Sequence, residues 1–147
     1  CLCGGKGCFE AAVSPRRLVD RIAARLAGEE DAFLSPIRAE RGLTFADIVE
    51  AAEAGSGMAR AALERSARFF ALGIRNLMQT FDPELVVIQG EYAGAGECFL
   101  EQVRERSPQT SLLGLGKTVE GRYSRLGQFG ASVGGSIYAA DIFFANA

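Results

Sequence analysis

Apolar residues recur along most of this chain at the three- and four-residue spacing of one helix face. Leu18, Ile22 and Leu26 make the first such stripe. Ser14 and Pro15 start it, because serine caps free amides and proline suits the first helical position. Gly28 is placed to end it. Glu29 to Gly42 is weakly patterned, and Ser35-Pro36 breaks it. Thr44 begins a second helix, with Asp47 in its first turn and Ile48 and Val49 on its apolar side. Gly55-Ser56-Gly57 reads as a hinge-like break. Met58 to Phe81 carries the longest helical pattern, and Leu63, Phe70 and Leu77 give it a broad face suited to burial against a sheet. Asp82-Pro83 stops it, since the residue before proline avoids helical angles.

The run Leu85-Val86-Val87-Ile88-Gln89 departs from helical spacing. It is short, nearly continuous and β-branched, which predicts a strand covered on both faces. Gly90 ends it. Glu97 to Arg106 predicts another helix, stopped at Ser107-Pro108. Thr118 to Tyr123 predicts an edge or hairpin strand. The longest uncharged stretch, Leu126 to Ala140, reads as a buried helix with its leading turn, ending near Phe144. Gly127, Gly130, Gly134 and Gly135 surround its entry, and small residues there let a backbone approach a neighbour or ligand closely. Helix, strand, helix, strand, helix is an α/β order.

Composition narrows the function. A chain of 147 residues can build one modest core, and 48% hydrophobic with 23% charged residues fits a globular protein. The net charge is −2, with no basic cluster, so nucleic-acid binding by this segment itself is not expected. No apolar run reaches membrane-spanning length, and no signal peptide opens the chain, which points to the cytoplasm. Opening inside a cysteine cluster without an initiator Met, the chain reads as part of something longer.

That cluster is Cys1-Leu2-Cys3-Gly4-Gly5-Lys6-Gly7-Cys8. Three thiolates this close suit a soft divalent ion such as zinc, which takes four Cys or His ligands in a tetrahedron. Glycines let the loop wrap tightly, and Lys6 offsets thiolate charge. The alternatives are free or disulfide-linked thiols. A secreted disulfide framework does not fit, because Cys98 is the one further cysteine. A catalytic nucleophile does not fit either, because the sequence has no His to act as base. Cys98 could complete the metal site, but it lies in a helical pattern where a small buried apolar residue is the plainer reading.

Cys1 to Glu10 resembles the C-x-C-G-x-x-G-C-x-E signature of the ROK family of repressors, open reading frames and sugar kinases. Phe81-Asp82-Pro83-Glu84-Leu85-Val86-Val87-Ile88-Gln89-Gly90 resembles its D-P-x-x-I-V-I-G-G strand, and Gly130 to Ser136 its final small-residue helix. The resemblance implies the second lobe of a ribonuclease-H-like, actin-like ATPase fold, incomplete at the amino terminus. It divides the chain into a zinc loop at 1–10, a helical segment at 14–81, and strand and helices at 84–147. It implies that Cys1, Cys3 and Cys8 are zinc ligands, completed by a His from an upstream E-x-G-H motif. It implies that Glu10 hydrogen-bonds sugar hydroxyls in the cleft between lobes, held there by the zinc loop.

Two functions follow from the resemblance. One is a sugar-responsive transcriptional regulator of the NagC/XylR type, whose upstream winged helix-turn-helix binds DNA. The other is an ATP-dependent sugar kinase. The family's paired glycines after the strand are read here as Gly90-Glu91, and a Glu near nucleotide phosphates favours the regulator. Gly94-Ala95-Gly96 matches no phosphate loop and reads as a turn. Phe69, Phe70, Phe143 and Phe144 read as core or subunit contact, and the family's homo-oligomers make Phe143-Phe144 a candidate interface.

Overall fold

The protein is described from a computed structural model that covers residues 3–107 and 120–145. Helix α1 spans Phe9–Val13, α2 Pro15–Arg25, α3 Leu34–Arg41, α4 Phe45–Ala54 and α5 Gly57–Phe81. Strand β1 spans Leu85–Ile88, α6 Glu97–Arg106, β2 Glu120–Tyr123 and α7 Gly130–Ala145. Short 3₁₀ turns at Gly90–Gly94 and Gly127–Phe129 follow the two strands.

Local capping explains where the helices begin. Ser14 Oγ accepts from the Arg17 amide at the start of α2, with Pro15 in the first turn. Helix α3 forms where the sequence reads as broken. Pro36 is its third residue, a position whose amide has no partner inside a helix, so proline costs little there. Asp31 supplies the cap that the pattern hides. Its Oδ1 accepts from the amides of Phe33 and Leu34 at 3.0 Å each, and its own amide donates to Ser35 Oγ.

Gly55-Ser56-Gly57 is a locked corner and not a hinge. Gly55 takes a left-handed φ of 113° that ends α4. Ser56 is buried, accepts from the Ala59 amide to cap α5, and donates to Asp31 Oδ2 at 2.6 Å. One carboxylate thus ties the starts of α3 and α5. At α4, Thr44 and Asp47 form a reciprocal capping box, and Arg41 adds two hydrogen bonds to the Asp47 carboxylate at 2.6 and 3.0 Å.

Helix α5 is the spine. Leu63, Ala67, Ile74 and Met78 face a core shared with Leu18 and Ile22 of α2, Ile48 of α4, Ile88 of β1 and Phe99 and Val103 of α6. Its main packing partners are therefore the helices α6, α4 and α1 and not a sheet alone. Leu72, Leu77 and Phe81 on its remaining face are exposed.

The strands pair parallel, Leu85 with Glu120 through to Ile88 with Tyr123, and α6 lies in the crossover between them. Of the two expectations for this strand, the edge strand stands among the described residues and the hairpin does not, since β2 pairs parallel to β1; Thr118 and Val119 lie outside the described residues. Arg104 on α6 donates to the Gly121 carbonyl at 2.8 and 3.1 Å, and the Tyr123 hydroxyl donates to Gly96 O at 2.7 Å. These bonds hold α6 on β2. The expectation that β1 is covered on both faces is corrected: Ile88 is buried, but Leu85 and Val87 are exposed. The expected buried helix is also corrected. Helix α7 packs on the Gly127–Phe129 turn, yet it has no buried residue, and Tyr138, Phe143 and Phe144 are about 70% exposed at 69%, 69% and 72%. Apolar composition marked it for burial, but the described residues bring no surface over it.

Asp47 gives a pH test of the helical layer. The hydrogen-bonded Arg41 guanidinium holds its carboxyl at about 2, below the ordinary 3.8. A carboxyl lowered on folding stabilises fully above its unfolded pKa and loses that contribution as pH falls through the folded value. Arg41 is half exposed, so screening leaves a contribution of about 1–2 kcal/mol. Asp47→Asn is expected to lower stability by about that amount at neutral pH, with the difference vanishing as pH falls toward about 2. Denaturant melts across that range check it.

Candidate functional site

The cysteine loop ends directly on α1. Cys8 stands at the helix cap, Phe9 and Glu10 are the first helical residues, and the Ser14 amide closes the helix on Glu10 O at 2.8 Å. This five-residue helix fixes the direction of Glu10 relative to Cys8. Cys3 Sγ and Cys8 Sγ lie 3.4 Å apart, and the Gly5 amide donates to Cys3 Sγ at 3.4 Å. That amide bond, with the Cys8 contact, lowers the Cys3 thiol pKa. A Cβ on Gly5 would sit 3.3 Å from both sulfurs, so glycine leaves the space between them clear.

Two thiolates sharing one tetrahedral zinc at the usual bond length stand about 3.8 Å apart, close to the observed spacing. The chemistry and placement of Cys3 and Cys8 therefore fit two zinc ligands. Cys1, the third ligand expected, lies outside the described residues. Among the described residues no group of three His, Cys, Asp or Glu side chains converges on one point. Cys98 is on α6 and exposed, not buried as its pattern suggested. It accepts from Gln102 Nε2 at 3.7 Å and lines a separate cavity with Val49, Leu63 and Phe99.

Glu10 lines a polar cavity of ≈ 610 Å³ with Ser14, Arg16, Arg17, Asp20 and Arg21. Its carboxylate can accept two hydroxyl donors there, while the guanidinium groups offer donors to ring or hydroxyl oxygens. Periodicity alone does not find the arginines, because on a helix they read as a solvated face.

Phe9 is the residue that sequence reasoning passed over. Its ring meets the edge of Phe70 at 6.0 Å, and Phe70 stacks edge-on with Tyr92 at 4.6 Å and Phe99 at 5.5 Å. Gly73 makes the room: a Cβ there would lie 2.6 and 2.7 Å from Phe9 ring atoms. The loop is thus seated on α5 through a ring set between Cys8 and Glu10. Its position in that triplet is the signal that could have found it. Phe70 is partly buried and packs against the core, while Phe143 and Phe144 face each other on exposed α7.

The other candidate locus lies beyond the strands. Gly90 has a left-handed φ of 76° and opens the first 3₁₀ turn, with Glu91 exposed beside it. The Gly94-Ala95-Gly96 segment is a turn, as expected.

The ROK family model matches residues 1–142. The chain belongs to the ROK family. A xylose repressor from Caldicellulosiruptor bescii is 35% identical over 77% of this chain and 28% of that protein. A ROK family glucokinase from Streptomyces griseus, solved with glucose and AMPPNP, superposes with a TM-score of 0.66 at 25% identity. It covers 86% of this chain and 42% of that one. A ROK family transcriptional regulator described as a homologue of the E. coli MLC protein superposes at 0.62 with 23% identity, over 84% of this chain and 30% of that one. The fold is therefore the expected α/β, ribonuclease-H-like one, and this ROK chain spans well under half the length of each of these relatives.

The Gly73 notch yields a packing test. Gly73→Ala forces the half-exposed Phe9 ring to move, and because Ala also gains about 0.5–1 kcal/mol of helix propensity in mid-helix, the net loss is expected to stay below about 2 kcal/mol. Adding Phe9→Leu should recover part of that loss. A double-mutant cycle on melting free energies checks the coupling.

Proposed function

We propose that this chain is the carboxy-terminal, sugar-effector-binding portion of a ROK transcriptional regulator of carbohydrate metabolism. The observation that carries the reading is Glu10, two residues beyond Cys8 and lining a polar cavity of ≈ 610 Å³. Sugar hydroxyls donate to its carboxylate, and the short α1 keeps that carboxylate in register with the cysteine loop. Similarity to a xylose repressor supports a regulator over an enzyme.

Cys1, Cys3 and Cys8 would hold a structural zinc, with a His from an upstream segment as fourth ligand. When bound, the ion supplies a closed tetrahedral staple and no reactive water. Its role here is to keep the loop folded so that Phe9 and Glu10 stay placed. DNA contact belongs to an upstream module, and sugar binding shifts the lobes between states of different DNA affinity. The exposed Phe143-Phe144 end of α7 supports a homo-oligomer contact. Among the described residues no helix is long and apolar enough to cross a membrane, which fits the proposed cytoplasmic location.

The glucokinase relative favours one second reading, an ATP-dependent sugar kinase. Sugar-dependent release of ADP by the full-length protein at ordinary enzyme rates would establish it.

Glu10→Ala in the full-length protein is expected to abolish sugar binding while leaving the melting temperature within a few degrees. Calorimetric titration against a panel of pentoses and hexoses checks this, and unchanged affinity for the bound sugar removes Glu10 from the site. Elemental analysis of the same protein is expected to find one zinc per chain; its absence from freshly purified protein overturns the metal assignment.

A further inference from the structure

We propose that Cys3 and Cys8 are a redox pair, two thiols that a hydroperoxide closes to a disulfide. The inference goes beyond the regulator reading and stands on the placement of the two sulfurs, so it does not depend on what Glu10 binds. Their Sγ atoms lie 3.4 Å apart. That spacing falls between the about 2.05 Å of a disulfide and the about 3.8 Å of two sulfurs on one zinc. Closure needs a movement of about 1.4 Å, shared between two side chains.

The loop leaves room for that movement. A Cβ on Gly5 would press on both sulfurs at 3.3 Å and push them apart, and glycine omits it. The Gly5 amide donates to Cys3 Sγ at 3.4 Å and fixes that sulfur next to Cys8. Gly4 and Gly7 hold left-handed φ of 75° and 77° with open space beside each, so the backbone can follow the sulfurs. Cys8 is extended at the cap of α1, which keeps the change outside the helix. Cys3 is exposed and Cys8 partly so, and a peroxide reaches the pair. Cys98 is exposed as well, but it lies on α6 and its described partner is Gln102, not a sulfur.

Cys3 Sγ attacks the peroxide: an S–O bond forms, the O–O bond breaks, and the thiol proton leaves with the departing oxygen as water. Cys8 Sγ then attacks the resulting sulfenic sulfur. The S–S bond forms, the S–O bond breaks, and the hydroxyl leaves with the Cys8 proton as a second water. The two thiols lose two electrons, and hydrogen peroxide gains them. A disulfide offers no thiolate, so the reduced pair can hold a metal and the oxidised pair cannot. In the cytoplasm such bonds are transient and redox-sensing, which sets a reversible oxidation site on the loop that carries Glu10.

The test adds hydrogen peroxide to full-length protein in the presence of a colorimetric zinc chelator, then digests it without reductant. Trypsin cuts after Lys6, between the two cysteines, so a disulfide joins peptides that otherwise separate. Mass spectrometry is expected to find the peptide ending at Lys6 joined to the one beginning at Gly7. Fragmentation should place the bond at Cys3 and Cys8, and dithiothreitol should part the peptides. Cys98→Ser is expected to leave the yield unchanged. Gly5→Ala is expected to slow closure by about threefold or more, because its Cβ crowds both sulfurs. A bond to Cys1 in place of Cys3 or Cys8, or oxidation that stops at single sulfurs, overturns the inference. Retained sugar affinity in Glu10→Ala would leave the redox pair standing, and a missing bond would leave the regulator reading standing.

Discussion

The packing of α1 on α5 and α2, with Phe9 over Gly73, is the contact that places the candidate site. The loop leading to Cys8 carries three glycines, Gly4, Gly5 and Gly7, and the five-residue helix α1 that follows is too short to persist alone. One aromatic ring, the half-exposed Phe9, lies over Gly73 and against Phe70, a pair worth about 0.5–1.5 kcal/mol beyond simple burial. Phe70 in turn belongs to a chain of rings through Tyr92 to Phe45 and Phe99. The direction of Glu10 is thus set by the packing of α1 on α5 and α2, with the half-exposed Phe9 ring as one of its contacts.

The core itself is held in shape by two carboxylates at helix starts. Asp31 ties α3 to α5 through Ser56, and Asp47 closes α4 on itself and on Arg41. Both sit at corners where amides would otherwise be unpaired. The result is a rigid helical layer with its polar groups spent on geometry. The groups left to meet a ligand are on α1 and α2, beside Glu10, and beyond the strand ends.

Those two loci differ in character. The Glu10 cavity is polar and lined by charged side chains, suited to a hydroxylated ligand. Beyond the strand ends, the Gln89 side chain reaches from β1 to Gly130, the first residue of α7. ROK relatives include both a repressor and a glucokinase solved with glucose and AMPPNP, so one fold supports both behaviours.

Most helix limits, the β1 run and the C-x-C-G-x-x-G-C-x-E spacing were legible from the sequence, because each depends on residues adjacent along the chain. Ser14-Pro15, Thr44 with Asp47, and Asp82-Pro83 act within a turn of where they stand. The α/β order and the family followed from them. Only the tertiary structure decided that Pro36 starts a helix under an Asp31 cap and that β2 lies parallel to β1. It alone placed Phe9 on Gly73 and Gln89 over Gly130, and left α7 uncovered. The physical reason is common to all of these. Each is set by a surface or a partner that the local pattern of apolar and polar residues does not name.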